Sequence, residues 1–348
     1  MNKIINMLVN GEMLSKSQFK ELVDNYTPEN AEKIASLASE KRKEVFGNKI
    51  YIRGLIELTN YCKKNCYYCG IRGSNKNASR YRLTKEDVLL CCEKGYSLGF
   101  RTFVLQGGED PFFTDDVVCE IVSEMKKQYP DCAITLSLGE RSFESYQRLF
   151  NAGADRYLLR HETATAEHYS QLHPKELTLE TRMQCLEDLK QIGYQVGCGF
   201  MVGSPNQTNE NLAQDLFFIQ NFKPHMVGIG PFIPQKDTPF ANEKAGTLEQ
   251  TLYMLSIIRL MLPKVLLPAT TALGTIHPKG RELGILAGAN VIMPNLSPET
   301  VRSKYTLYDN KLNTGAEAAE NLRLLREKLK TVNCEVAINR GDSPNIKI

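Results

Sequence analysis

The sequence predicts an α/β chain built as a complete (β/α)8 barrel, with a helical extension before it and a short helical tail after it. Three observations carry that prediction. Eight short β-type runs, at 50–58, 102–106, 133–137, 156–159, 195–201, 226–229, 265–269 and 290–293, alternate with longer amphipathic stretches, the order that lays parallel strands under helices. In the first run Ile50, Ile52, Ile56 and Leu58 share one face, and Tyr51, Arg53, Leu55 and Glu57 the other, so an apolar side would meet outer helices while a mixed side looks inward. In the fourth, Arg156, Leu158, Arg160 and Glu162 share a face. Charges on one edge strand would be solvated surface, but two runs with the same habit point to a barrel interior that houses a site.

Three divisions follow, at 1–47, 48–300 and 301–348. In the first, Thr27, Pro28 and Glu29 read as an N-cap, a first-turn proline and an acidic first turn; Ala31, Ile34, Ala35 and Ala38 then mark one helical face up to Gly47. In the last, Ala316, Ala319, Leu322 and Leu325 stand at helical spacing, and the polar stretch 339–345 reads as loose.

With 42% hydrophobic and 24% charged residues the chain has enough apolar material for a large core, and its net charge of +3 comes without a basic stripe. That excludes an electrostatic nucleic-acid or membrane surface and leaves a small-molecule partner. The first 23 residues lack the apolar core of a signal peptide, and no apolar run reaches bilayer length, so the expected location is the cytoplasm. Ten cysteines in that compartment read as thiols, metal ligands or catalytic groups.

Three of them form Cys62-Lys63-Lys64-Asn65-Cys66-Tyr67-Tyr68-Cys69 directly after the first strand, at the strand end where barrel chemistry sits. Buried packing cysteines on one helical face are the plain alternative. The flanking Asn60, the polar run 63–65 and Gly70 read as loop, which favours a ligand role. Structural zinc would want a fourth ligand, and no histidine precedes His161. Three thiolates on a 4Fe-4S cluster instead leave one iron open. A second segment, Gln106-Gly107-Gly108-Glu109, puts paired glycines after a strand, where backbone can approach a ligand closely.

This cysteine loop, with its aromatic before the last cysteine, resembles the signature of radical S-adenosylmethionine enzymes. The strings VLQGGEDP, ADRYLLRHETA, MVGIGPFIPQKDTP, LPATTALGTI and AGANVIMPN are similar to those of the radical maturases of FeFe-hydrogenase. The resemblance implies one 4Fe-4S cluster on Cys62, Cys66 and Cys69, with S-adenosylmethionine on its open iron and reductive cleavage to a 5′-deoxyadenosyl radical. It implies that Gly107, Gly108 and Glu109 receive the methionine amino group and that Arg160 and Arg182 hold the carboxylate region. Glu162 would bind the ribose hydroxyls and Tyr68, with backbone around Ile229, would flank the adenine, while Gln106, Ser137 and Met201 complete the cofactor set. Arg53, Arg156, Thr270, Thr271, Met293, Tyr305 and Tyr308, with Gln106, would line a substrate cavity, Arg156 pairing with an amino-acid carboxylate.

On the same resemblance, the substrate would be a small or organometallic molecule, a cysteine-ligated iron carbonyl cyanide precursor. An electron donor and other hydrogenase maturation proteins would be the partners. Many family members carry a second cysteine cluster near the C-terminus; here 303–333 holds no cysteine. Rival readings are a methylornithine synthase-like mutase, a biotin synthase-like sulfur-inserting enzyme, a zinc-binding barrel and a non-enzymatic iron-sulfur carrier, the last leaving the Gly-Gly-Glu segment and the charged interior unexplained.

Overall fold

The computed structural model describes residues 1–345. The chain enters through three helices, Asn2–Val9, Lys16–Asp24 and Pro28–Phe46. Thr27 caps the third by accepting from Asn30 N at 3.2 Å, Pro28 opens its first turn, and Gly47 ends it at φ 62°, an angle glycine adopts without a Cβ clash. Their apolar residues Phe19, Leu22, Ile34 and Ala38 are buried. Lys16–Asp24 packs on the helix Asn209–Phe222, and Pro28–Phe46 on Leu248–Met261. Polar ties fix the docking: the Gln220 amide accepts from Leu14 N and donates to Leu14 O, each at 2.8 Å, and Tyr253 donates to Leu22 O at 2.8 Å.

The strands are β1 (Lys49–Ile52), β2 (Gly54–Thr59), β3 (Thr102–Gly107), β4 (Ala133–Ser137), β5 (Arg156–Leu158), β6 (Gln195–Cys198), β7 (Met201–Val202), β8 (Met226–Val227), β9 (Gly230–Pro231), β10 (Val291–Ile292) and β11 (Glu335–Ala337). Six form one parallel sheet in the order β2-β3-β4-β5-β6-β8, β10-β1-β11 form a second, and β7-β9 a third. Isolated parallel bridges, Met226 to Leu266, Pro268 to Val291 and Leu55 to Asn295, continue the pairing from β8 back towards β2. Both sides of the central strands are buried, with Ile56, Leu58, Phe103 and Leu105 in the main core and Glu57 inaccessible on the other side, as helix-covered parallel sheets require.

The regularity of the expected barrel is reduced in three places. The run 50–58 is two strands parted at Arg53, because β1 pairs with β10 and β11 while β2 pairs with β3. The run 265–269 makes single bridges: Pro268 has no N–H to donate, and Leu267 N is taken by the Asn290 side chain at 2.8 Å. The C-terminal spacing gives two 3-10 turns, Gly315–Glu317 and Ala319–Asn321, before the helix Leu322–Lys330.

The stretch expected to be loose is instead bonded at the N-terminal end of the strands. Arg340 O accepts from Thr102 Oγ1 at 2.7 Å and from Arg156 at 2.6 Å, and the Asp342 carboxylate accepts from Arg156, Gln195 and Arg340 at 2.6–2.8 Å. Buried donors at the sheet's floor needed partners, and the tail supplies them. Among the described residues no helix is long and apolar enough to cross a membrane.

Candidate active site at the cysteine loop

The loop after β2 is pinned on every side. The Asn60 amide donates to Ser79 O and Lys304 O and accepts from Tyr81 N, each at 2.8 Å. The Arg80 guanidinium forks onto the carbonyls of Asn60, Ile71, Arg72 and Asn75. Lys63 N donates to Glu109 O, Tyr67 N to Leu172 O and Gly70 N to Leu307 O, at 2.9–3.0 Å. A Cβ on Gly70 would lie 2.0 Å from Thr306 O, and one on Gly108 would lie 2.2 Å from Tyr61 O and 2.7 Å from Cys62 Cβ. The glycines of both motifs therefore allow the Gly-Gly-Glu turn and the 306–307 segment to close on the cysteine loop.

Cys62, Cys66 and Cys69 are unpaired and partly buried. Burial pushes all three thiols up, Cys66 to about 12, so they are poor nucleophiles unless a cation stabilises the thiolates. Among the described residues no three His, Cys, Asp or Glu side chains converge on one metal ion. A cubane binds each thiolate through a different iron, so its ligands need not meet at a point.

Charged groups from the next three strand ends face this loop. Glu109 follows β3; its Oε1 accepts from Glu140 N at 3.0 Å, and its Oε2 is buried without a hydrogen bond, 3.6 Å from Lys64 Nζ. Glu140 follows β4 and accepts from Arg182 Nε at 2.7 Å and from Lys64 Nζ at 2.9 Å. Burial raises the Glu109 carboxyl. Burial also works against ionisation of Glu140, but the charges and hydrogen bonds of Arg182 and Lys64 outweigh it and hold that carboxyl below the usual range. Arg182, on the helix Leu179–Ile192, is 7% exposed and also donates to Arg160 O, so it is not a solvated surface arginine.

Beyond β5, Arg160 Nη2 and Glu162 Oε2 stand 3.1 Å apart, yet neither is aligned for a hydrogen bond and both are buried without one. We read the contact as electrostatic only. Tyr68 rests on Leu172, Met201 and Phe232, and its hydroxyl lies 3.3 Å from His173 Nε2. The His173 ring is stacked on Tyr169, centroids 3.9 Å apart. Ile229 lies in the core between β8 and β9.

A Radical SAM superfamily profile matches residues 56–219. The chain is 48% identical over 281 residues, 81% of its length and 80% of the relative's, to the [FeFe] hydrogenase maturase subunit HydE of Thermotoga maritima. The chain belongs to the radical SAM enzymes of the HydE type. It is also 29% identical to 3-methylornithine synthase of Methanosarcina barkeri, over 88% of this chain and 86% of that one. The crystal structure of methylornithine synthase (PylB) superposes with a TM-score of 0.85 at 26% identity, covering 96% of this chain and 97% of that one.

Measured against what a radical SAM site must hold, the residues fit. Three thiols stand on a pinned loop, and Glu109, Arg160 and Glu162 present buried polar atoms that make no hydrogen bond among the described residues. Such orphaned groups are costly unless a polar ligand meets them. Gln106 and Ser137 lie side by side on β3 and β4.

The proposed substrate residues do not form one group. Gln106 donates to Tyr305 OH at 3.4 Å, and Tyr305 and Tyr308 line a cavity of about 620 Å³ with Lys311. Thr271 bonds Glu317 and Arg281 at 3.0–3.1 Å, while the Thr270 hydroxyl is buried without a partner beside Gly230. Met293 is partly buried against the cluster of Phe46, Met226, Leu266 and Val291. Arg53 is 5% exposed, touches Met226 Sδ at 2.9 Å and has two unpartnered nitrogens. The expectation for Arg156 is corrected in placement: it starts β5 at the end of the strands remote from the cysteines, and the carboxylate it binds is Asp342.

Sequence reasoning missed Glu140, Tyr169, His173, Lys311 and the tail. Glu140 carried a signal, a carboxylate just past a strand end in Gly139-Glu140. The others lie on helices or loops whose spacing does not reveal what they face.

Proposed function

We propose that this enzyme acts in assembly of the FeFe-hydrogenase active-site cluster, processing a cysteine-bound iron carbonyl cyanide precursor. The observation that carries the reading is the 48% identity to HydE across 81% of the chain, well above the 29% shared with methylornithine synthase. Cys62, Cys66 and Cys69 would hold a single 4Fe-4S cluster, leaving one iron for the methionine end of S-adenosylmethionine. When bound, the pair supplies one-electron cleavage of a carbon–sulfur bond and a 5′-deoxyadenosyl radical.

The chain's own groups divide the binding work. The free oxygen of Glu109 suits an ammonium group, with Gly107 and Gly108 forming the turn beneath it. Arg160 and Arg182 suit a carboxylate, Glu162 the ribose hydroxyls, and Tyr68 with Met201 and the backbone at Ile229 the adenine; Gln106 and Ser137 adjoin them. Charge-assisted contacts of this kind are strong in a water-poor pocket. The cavity beside Tyr305 and Tyr308, with Thr270, Thr271, Arg53 and Met293 deeper, would take the substrate. A barrel completed through the single bridges of 265–269, with extension 1–47 and tail 301–348 packed on it, would keep water from the radical. The expected setting is the cytoplasm, with an electron donor and other maturases as partners.

A second reading, a methylornithine synthase-like mutase, is favoured by the TM-score of 0.85 to PylB. Incubating reduced, reconstituted enzyme and S-adenosylmethionine with the iron precursor or with lysine separates the two. Consumption of the precursor supports the maturase, and methylornithine from lysine replaces it with the mutase.

A further inference from the structure

Glu162 is in the left-handed region, at φ 65°, which costs a residue with a Cβ free energy and persists only where surroundings impose it. Backbone bonds hold it from one side: Glu162 N donates to Gly199 O at 3.0 Å, and Thr163 N to His161 O at 2.8 Å. The other side is held by one carboxylate. Asp215, on the helix Asn209–Phe222, is wholly buried; its Oδ1 accepts from Ala164 N and lies 3.4 Å from His161 Nε2.

His161 is also wholly buried. Its Nδ1 accepts from Gly199 N at 3.3 Å, which assigns the ring hydrogen to Nε2, facing Asp215. Its ring packs edge-on against Phe218, centroids 4.8 Å apart. Asp215 therefore grips the residue before Glu162 and the residue two after it, so the turn cannot relax without breaking a buried contact.

We propose that Asp215 is a positioning residue: through His161 and Ala164 it holds the left-handed turn that aims the Glu162 carboxylate at the cofactor pocket. The inference rests on the reading of Glu162 as a cofactor contact. Burial pushes His161 down to about 3 and raises the Asp215 carboxyl, so His161 enters the clamp as a neutral ring in buried polar contact with Asp215, and the hydrogen bond of the clamp is the one from Ala164 N. An asparagine keeps an acceptor for Ala164 N; alanine removes it.

The test uses full-length, anaerobically reconstituted wild type, Asp215→Ala, Asp215→Asn, Glu162→Gln and the Asp215→Ala/Glu162→Gln double variant. Cluster content, KM for S-adenosylmethionine, kcat for 5′-deoxyadenosine, and the change in the reduced cluster's electron paramagnetic resonance spectrum on cofactor addition are read together. We expect Asp215→Ala to keep its cluster, raise KM by roughly tenfold or more and weaken the spectral change. Asp215→Asn should restore both, and the double variant should be no worse than Glu162→Gln. Should Asp215→Ala not fold, His161→Phe, which keeps the ring against Phe218 but loses both nitrogens, carries the same expectation. Wild-type KM in these variants, or effects that multiply in the double variant, overturn the proposal while wild-type cleavage leaves the functional reading intact. Wild type that binds no S-adenosylmethionine overturns both.

Discussion

The Asp342 carboxylate lies 2.6 Å from the guanidinium of Arg156, so the arginine expected to bind a substrate's carboxylate is already bound to one from its own chain. Arg156 is wholly buried and Asp342 is 21% exposed. Removing one member of a buried pair leaves the other uncompensated, at about 3–5 kcal/mol. Asp342→Ala should therefore lower the urea midpoint while leaving cleavage of S-adenosylmethionine near wild type. Lost cleavage with an unchanged midpoint would return Arg156 to the active site.

The same contact predicts a pH dependence. Burial would raise the Asp342 carboxyl, but the hydrogen bond from Arg340, the charge of Arg156 and the bond from Gln195 outweigh it and hold it well below the usual carboxylate range. A depressed carboxylate stabilises the fold fully above its unfolded pKa, about 4, and that stability is lost as pH falls towards the folded value. The stability gap between wild type and Asp342→Asn should be constant from pH 7 to about 5 and shrink below it, in denaturation curves of metal-free protein.

Lys311 pairs with Glu57, which is wholly buried, while Asn295 donates to the other Glu57 oxygen at 2.9 Å. Its ammonium also lies 4.8 Å above the Tyr305 ring. Lys311→Met should destabilise by about 3–5 kcal/mol, and adding Glu57→Gln should recover much of the loss. Recovery that fails in a double-mutant cycle would mean the pair is not the principal tie.

Arg182 bridges Glu140 and Arg160 O. Its replacement by lysine keeps the charge but not the fork. Arg182→Lys should raise KM for S-adenosylmethionine by roughly tenfold with cluster content unchanged; an unaltered KM would confine Arg182 to holding Glu140.

What was readable in the sequence was what local pattern encodes. The helix Pro28–Phe46 is written in its cap, its proline and its glycine, and strands such as Thr102–Gly107 in short apolar runs. The cysteine loop is legible because its spacing and its position after β2 are both local. The break at Arg53 was hidden because it is set by which strands β1 and β2 pair with, a long-range choice. β11 was hidden because three residues of mixed polarity have no period. The tail's grip on Arg156 joins residues 186 apart in sequence, and nothing in the spacing of a polar tail announces a buried partner. Arg182 and Glu140, likewise, meet only once two strand ends and a helix are packed.

The most direct test of the central claim, that Cys62, Cys66 and Cys69 carry a cluster that cleaves S-adenosylmethionine, is anaerobic reconstitution followed by dithionite reduction with the cofactor. The assay is for 5′-deoxyadenosine and methionine, in wild type and in the three single cysteine-to-alanine variants. The account predicts both products from wild type and none from any variant, with circular dichroism unchanged. Wild-type turnover in Cys66→Ala, or zinc without iron and acid-labile sulfide in the purified protein, would contradict it.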